Sequence, residues 1–129
     1  MASYLVDTQV LIWLARDPKQ LGRGAARLLR DAARLHYSAI SFAELEIKQA
    51  VDKFTVRDDF RSVLTEAGIV ELPFTSNDAA QLRRFPALAR HDPFDRYIMA
   101  QAAARDMVLI TADRVLLTLG LPWIVDARA

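Results

Sequence analysis

The sequence has no cysteine, four glycines and five prolines in 129 residues, and aromatic residues make up only 9% of it. Without cysteine there are no disulfide scaffolds, catalytic thiols, thiol redox chemistry or cysteine-ligated zinc and iron–sulfur sites, and a reducing compartment is permitted. With so little glycine and proline the chain is neither collagen-like nor of low complexity. An excess of one charge sign is lacking too: 17 Lys and Arg against 16 Asp and Glu leave a net charge of +1. That excludes a histone-like polycation or an acidic disordered tail and nominates no partner. Long hydrophobic runs are also missing. The longest uncharged apolar stretch, Val115 to Val125, contains Gly120 and Pro122 and is too short to span a bilayer as a helix. The start, Met1 to Asp7, lacks the basic residues and long apolar region of a signal peptide. The expectation is a soluble cytoplasmic protein with no membrane association. At 53% hydrophobic and 26% charged residues, the length suits one domain, residues 1–129, with a real core.

Apolar bursts alternate with helical periodicity along the chain. Tyr4-Leu5-Val6 reads as a strand ending at Asp7, and Val10, Leu11, Trp13 and Leu14 then recur at helical spacing. A second helix is expected from Gly22, with Leu21, Ala25, Leu28, Leu29 and Ala32 on one side. His36 to Ile40 reads as a strand leading into a helix from Ser41 to about Asp52. Arg57 to Ala67 reads as a helix closed by Gly68, and Ile69 to Leu72 as a strand stopped by Pro73. A helix from about Ser76 to Phe85 precedes turns at Pro86 to His91, and Asp92-Pro93 opens a long helix to about Arg105. Met107 to Thr111 is the clearest strand, followed by a brief helix from Asp113 to Leu119 and a last strand, Trp123 to Val125. Short apolar strands separated by helices, without hairpin turns, predict an α/β fold with a parallel sheet covered on both faces. Such sheets bind ligands at the carboxyl ends of their strands, where strand order reverses.

Four carboxylates are expected at that edge. Asp7 and Asp113 each follow a strand, while Glu44 and Asp95 lie in the first turns of helices leaving it. Each has a structural reading as well: Ser41-x-x-Glu44 has the form of a capping box, Asp92-Pro93-x-Asp95 that of a helix start, and Asp113 can cap its helix. Asp7 fits capping less well, because Thr8 would serve. Several anions gathered in a partly buried site repel one another, and a divalent cation relieves that cost. Oxygen ligands, without cysteine and with neither His36 nor His91 obviously placed, favour Mg²⁺ or Mn²⁺ over zinc. Phosphodiester hydrolysis is the reaction such a site suits. A haloacid-dehalogenase-like phosphohydrolase with Asp7 as nucleophile is an alternative, although Gln9 stands where that chemistry expects a second aspartate. A non-catalytic module binding RNA or protein is another.

Four blocks, Leu5-Val6-Asp7-Thr8-Gln9-Val10-Leu11-Ile12-Trp13, Ser38-Ala39-Ile40-Ser41-Phe42-Ala43-Glu44, His91 to Ala102 and Thr111-Ala112-Asp113, resemble the ordered motifs of PIN-domain ribonucleases, in particular the VapC-type toxins of type II VapBC toxin–antitoxin systems. The resemblance covers essentially the whole chain. It implies a three-layer α/β/α fold with a central parallel sheet and an Mg²⁺- or Mn²⁺-dependent endoribonuclease. It implies Asp7 and Asp95 as the main metal ligands, with Glu44 and Asp113 completing the acidic quartet. Thr111 and Ser41 support them, and Asp92 either caps a helix or contacts a metal-bound water. Arg114 stands where some members carry a further acid, so a second ion is not implied. The implied partners are RNA as substrate, a small VapB-type antitoxin that wraps the toxin and blocks its pocket, and a second copy in a homodimer.

Fourteen of the 17 basic residues are arginine, whose planar fork pairs with phosphate bidentately. At about 100° per residue, Arg23, Arg27, Arg30 and Arg34 share one face of the second helix, a ridge for RNA phosphates, an acidic partner or solvent. His36 is expected in the core or at an edge, and His91 in a turn, with approach to the acidic site, just before Asp92, as its alternative. Trp13, Phe42, Phe94, Tyr97 and Trp123 are expected to pack. Trp13 to Ala15, the apolar side of residues 23–34, and Phe54 to Val63 are candidates for a groove holding a partner segment.

Overall fold

The structure is a computed structural model that describes residues 2–32, 34–51 and 58–129. Five strands, β1 (Ser3–Val6), β2 (Arg34–Ser38), β3 (Ile69–Leu72), β4 (Val108–Thr111) and β5 (Ile124–Asp126), form one sheet in the order β3-β2-β1-β4-β5. Every pairing is parallel; Val6 lies beside Tyr37 on one side and Ile110 on the other. The helices are α1 (Thr8–Arg16), α2 (Arg23–Asp31), α3 (Ala39–Ala50), α4 (Phe60–Glu66), α5 (Ser76–Ala80), α6 (Pro93–Ala104) and α7 (Arg114–Leu117), with 3-10 turns at Pro18–Gln20, Gln81–Arg84 and Pro86–Leu88. This is the expected α/β/α architecture.

Two-residue alternation explains the layers. Val6 and Ile110 pack with Val10, Leu11, Ala25, Leu45 and Phe60 on one face, whereas Leu5 and Leu109 pack with Ile98, Met99, Ala102 and Leu116 on the other. All of these but Phe60, at the rim, are at most 1% exposed. Central strands covered on both sides must be apolar at every position, which is why β1 and β4 read as unbroken bursts. The chain runs from β1 outward to β2 and β3, then returns to place β4 on the opposite side of β1. Strand order therefore reverses between β1 and β4, and a crevice opens at their carboxyl ends.

Several boundaries differ from expectation. β2 stops at Ser38, whose extended backbone and side-chain oxygen cap α3 by accepting from the Ile40 N–H at 3.0 Å. The helix thus begins at Ala39, and Ser41 is no cap: it is fully buried one turn in and accepts a hydrogen bond from Thr8 Oγ1 at 2.9 Å. α2 ends at Asp31 because Ala32 turns extended, so Arg34 opens β2 and is not part of a four-arginine helical ridge. After α5 the chain tightens into a 3-10 turn and does not continue as one helix to Phe85. Asp52, Phe54 and Arg57, expected at a helix end, a groove and a helix start, lie outside the described residues. Gly68 does follow α4, at φ +80°, in the left-handed conformation that a side chain disfavours. Four of the five expected packing aromatics do pack: Trp13 lies against the core, Phe42 lies 5.4 Å from Tyr37 and 5.5 Å from Phe60, Tyr97 5.4 Å from Phe74, and Trp123 6.2 Å from Phe85, centroid to centroid.

Candidate active site

Asp7 leaves β1 at the switch point and is 2% exposed. Its Oδ1 accepts from the Val10 N–H at 2.8 Å, so Asp7, not Thr8, caps α1. Its Oδ2 accepts from Thr111 Oγ1 at 2.5 Å and from the Ala112 N–H at 3.0 Å. The start of α1 therefore orients Oδ1 and the end of β4 orients Oδ2, and Thr111, fully buried, acts on Asp7 directly. Burial raises the Asp7 carboxyl above its ordinary value of 3.8, the three hydrogen bonds oppose that rise, and the Asp113 charge adds to it.

Asp95, in the first turn of α6, and Asp113, at the end of β4, approach each other across the crevice. Asp95 is pushed up to about 8, first by burial, then by its hydrogen bond to Asp113 and the charges of Asp113, Asp7 and Asp92. Burial also acts to raise Asp113, but hydrogen bonds from Asp95, His91 and the N–H groups of Val115 and Leu116 hold it below 3.8. Burial and the neighbouring charge thus favour the protonated form of Asp95 and the ionised form of Asp113. Asp113 still caps α7, with Val115 N at 2.8 Å and Leu116 N at 3.3 Å. Asp92 caps α6 through Phe94 N at 2.9 Å and Asp95 N at 3.4 Å.

Glu44 sits in the second turn of α3, too far along to cap it, and is 7% exposed. One of its oxygens pairs with Lys48 Nζ at 2.9 Å, while Oε1 is buried without a hydrogen-bond partner. Asp7, Glu44, Asp92, Asp95 and Asp113 line one cavity of about 300 Å³ together with Thr8, Gln9, Lys48, Ala112 and Arg128. The structure thus brings the four expected carboxylates and Asp92 together. It does not bring the arginines of α2 there, and Arg23, Arg27, Arg30 and Arg34 are exposed.

Lys48 and Arg128 line this site without having been singled out by the sequence, and His91 reaches it as the less favoured of its two sequence readings. His91, expected in a turn, places Nε2 2.6 Å from Asp113 Oδ2 and 3.9 Å from Asp95 Oδ2. Among the described residues, His91, Asp95 and Asp113 are the group whose ligand atoms all lie within 4.8 Å of one another; Asp7 and Glu44 stand outside it. The signal in the sequence was only adjacency to Asp92. Arg128 lines the cavity from a position 16 residues after Ala112, beyond β5, with no sequence signal at all.

The donor set fits a hard divalent cation. A buried carboxylate oxygen lacks any partner, burial and then neighbouring carboxylates raise Asp95 to about 8, and all donors except one imidazole are oxygen. Asp7 is less suited to attack as a nucleophile, with both oxygens held in hydrogen bonds and almost no exposure.

Fold and pocket together define a parallel α/β protein with an acidic crevice at its topological switch point. The chain belongs to the PIN domain family, whose family model matches residues 4–120. It is 28% identical over 116 residues, 88% of this chain and 89% of the relative, to Ribonuclease VapC22 of Mycobacterium tuberculosis. Among solved structures it is similar to a toxin-antitoxin complex from Klebsiella pneumoniae, at TM-score 0.65 and 20% identity over 97% of this chain and 98% of that one. It is also similar to a DNA-bound VapBC from Salmonella typhimurium, at TM-score 0.63 and 20% identity over 97% and 96% of the two chains. The family match displaces the dehalogenase-like reading. Among the described residues, no helix is long and apolar enough to cross a membrane.

Proposed function

We propose that the chain is a cytoplasmic, single-domain, metal-dependent endoribonuclease and the toxin of a toxin–antitoxin pair, with Mg²⁺ or Mn²⁺ at the acidic pocket. The observation that carries this reading is the convergence of Asp7, Glu44, Asp95 and Asp113 on one cavity in a PIN-family chain. The ribonuclease named among its relatives and the toxin–antitoxin complexes among its structural neighbours support it.

Asp7 and Asp95 hold the ion in this scheme, while Glu44 or Asp113 orients the attacking water. Thr111 keeps Asp7 in register, and Ser41 steadies the α1–α3 contact through Thr8. Asp92 organises the start of α6. A bound divalent ion supplies a more acidic water and neutralises charge on the departing oxygen of the phosphodiester. Asp95 and Asp113 would bind such an ion as carboxylates, so its binding would favour their ionised forms. The partners are RNA, a small antitoxin that covers the pocket, and a second copy of the chain. Arg23, Arg27 and Arg30 offer a basic surface to RNA or to the antitoxin.

The test is cleavage of total RNA by the purified chain with and without chelator. Asp7→Asn and Asp95→Asn should keep the fold by circular dichroism and lose metal-dependent cleavage by more than about 100-fold, beyond what changes around metal ligands cause. Full cleavage by either variant, or by the chelated wild type, refutes the assignment. Metal titration separates this reading from a non-catalytic module, which would bind no divalent ion.

A further inference from the structure

The acidic cavity has an electrostatic difficulty: a phosphodiester must approach a wall of carboxylates. Among the described residues two cationic side chains line that wall, and Lys48 is already paired with Glu44 at 2.9 Å. Arg128 is the other. Its Nη1 donates to the Ala112 carbonyl at 2.8 Å, the same residue whose N–H holds Asp7, and its guanidinium lies over the Trp13 ring at 5.5 Å. Among the described residues its ion-pair partner is Asp126 outside the cavity, at 3.9 Å, and Nε and Nη2 donate to no described residue.

The backbone that carries Arg128 is clamped. The Ala127 and Ala129 carbonyls accept from Gly22 N at 2.9 Å and Ala25 N at 3.0 Å, at the start of α2, and Ala127 N donates to the Thr111 carbonyl at 2.9 Å. A Cβ at Gly22 would fall 2.2 Å from the Ala129 oxygen and 2.3 Å from the Arg128 oxygen, so only glycine admits this docking. A flexible residue is thus held on three sides with half of its fork free. From this placement we propose that Arg128 is the substrate-phosphate contact of the pocket, gripping a non-bridging oxygen of the RNA backbone beside the ion, and that Gly22 exists to seat it. The proposal rests on the ribonuclease reading above and adds the residue that lets an acidic pocket accept an anion.

Single-turnover cleavage of a short single-stranded RNA, its salt dependence and calorimetric Mn²⁺ binding to RNA-free protein test this together. Arg128→Ala should lower kcat/KM roughly 10- to 100-fold, as loss of one charge-assisted hydrogen bond does, and flatten the slope of log affinity against log salt by about 0.7. Mn²⁺ affinity should be equal or tighter. Arg128→Lys should recover part of the loss, as a point charge without the fork. Gly22→Ala, checked for folding by thermal melting, should reproduce the Arg128→Ala pattern. Arg128→Ala with wild-type kcat/KM and salt slope overturns the proposal and leaves the ribonuclease reading standing. Weakened Mn²⁺ binding with an unchanged salt slope assigns Arg128 to the fold alone. Failure of the wild type to bind RNA overturns both.

Discussion

At the scale of single residues, the pocket stores unfavourable charge that the fold must hold in place. The retained proton on Asp95 fixes the sign of its pH dependence. A carboxyl raised from 3.8 to about 8 in the folded chain stabilises fully below 3.8, and that contribution is lost as pH rises toward 8. Asp113, lowered, works oppositely: its contribution is present above 3.8 and lost as pH falls below it. The metal-free chain should therefore melt at lower temperature near pH 8 than near pH 5, and Mg²⁺ should raise the midpoint more at the higher pH. A metal-free midpoint that climbs steadily over this range would contradict the crowding of Asp95. His91 is the other residue with a consequence. His91→Ala removes the 2.6 Å partner of Asp113, and metal affinity by calorimetry should fall roughly 10- to 100-fold, as for other residues that orient ligands. Unchanged affinity would make His91 a turn residue after all.

At the scale of elements, caps and catalytic candidates coincide. Asp7, Asp92 and Asp113 each accept backbone N–H bonds at the start of a helix, and each also lines the cavity. The capping and metal readings of these aspartates were not alternatives: a helix start needs an acceptor, and pointing three starts at one crevice gathers their carboxylates there. The two roles separate experimentally at Asp92. Asn caps as well as Asp, so Asp92→Asn should keep stability and cleavage, whereas Asp92→Ala should cost about 1 kcal/mol in urea denaturation. Loss of cleavage in Asp92→Asn with unaltered stability would move Asp92 among the ligands. At α3 the sequence misled, because Ser41-x-x-Glu44 has the form of a capping box while Ser38 three residues earlier does the capping. Two serines at suitable spacing are indistinguishable without knowing which one the strand leaves extended.

At the scale of the whole molecule, near-zero net charge conceals separation: carboxylates converge on one crevice while Arg23, Arg27 and Arg30 stay exposed on α2 without an ion pair among the described residues. Replacing these three with Gln should lower RNA affinity and reduce its salt slope by about 2; an unchanged slope would leave that face to a protein partner or to water. The sequence by itself determined the α/β class, the parallel sheet, most strand limits and the four candidate carboxylates. Those features are written in local signals: unbroken apolar bursts for strands buried on both faces, helical periodicity, and an acid directly after a strand. The tertiary structure alone decided that Arg34 belongs to β2, that one Glu44 oxygen is left without a partner, that Asp95 and Asp113 meet, that His91 reaches Asp113 and that Arg128 lines the pocket. Each of these depends on which strand lies beside which. Parallel β1 and β4 are neighbours although about 100 residues separate them, far beyond any periodic pattern in the chain.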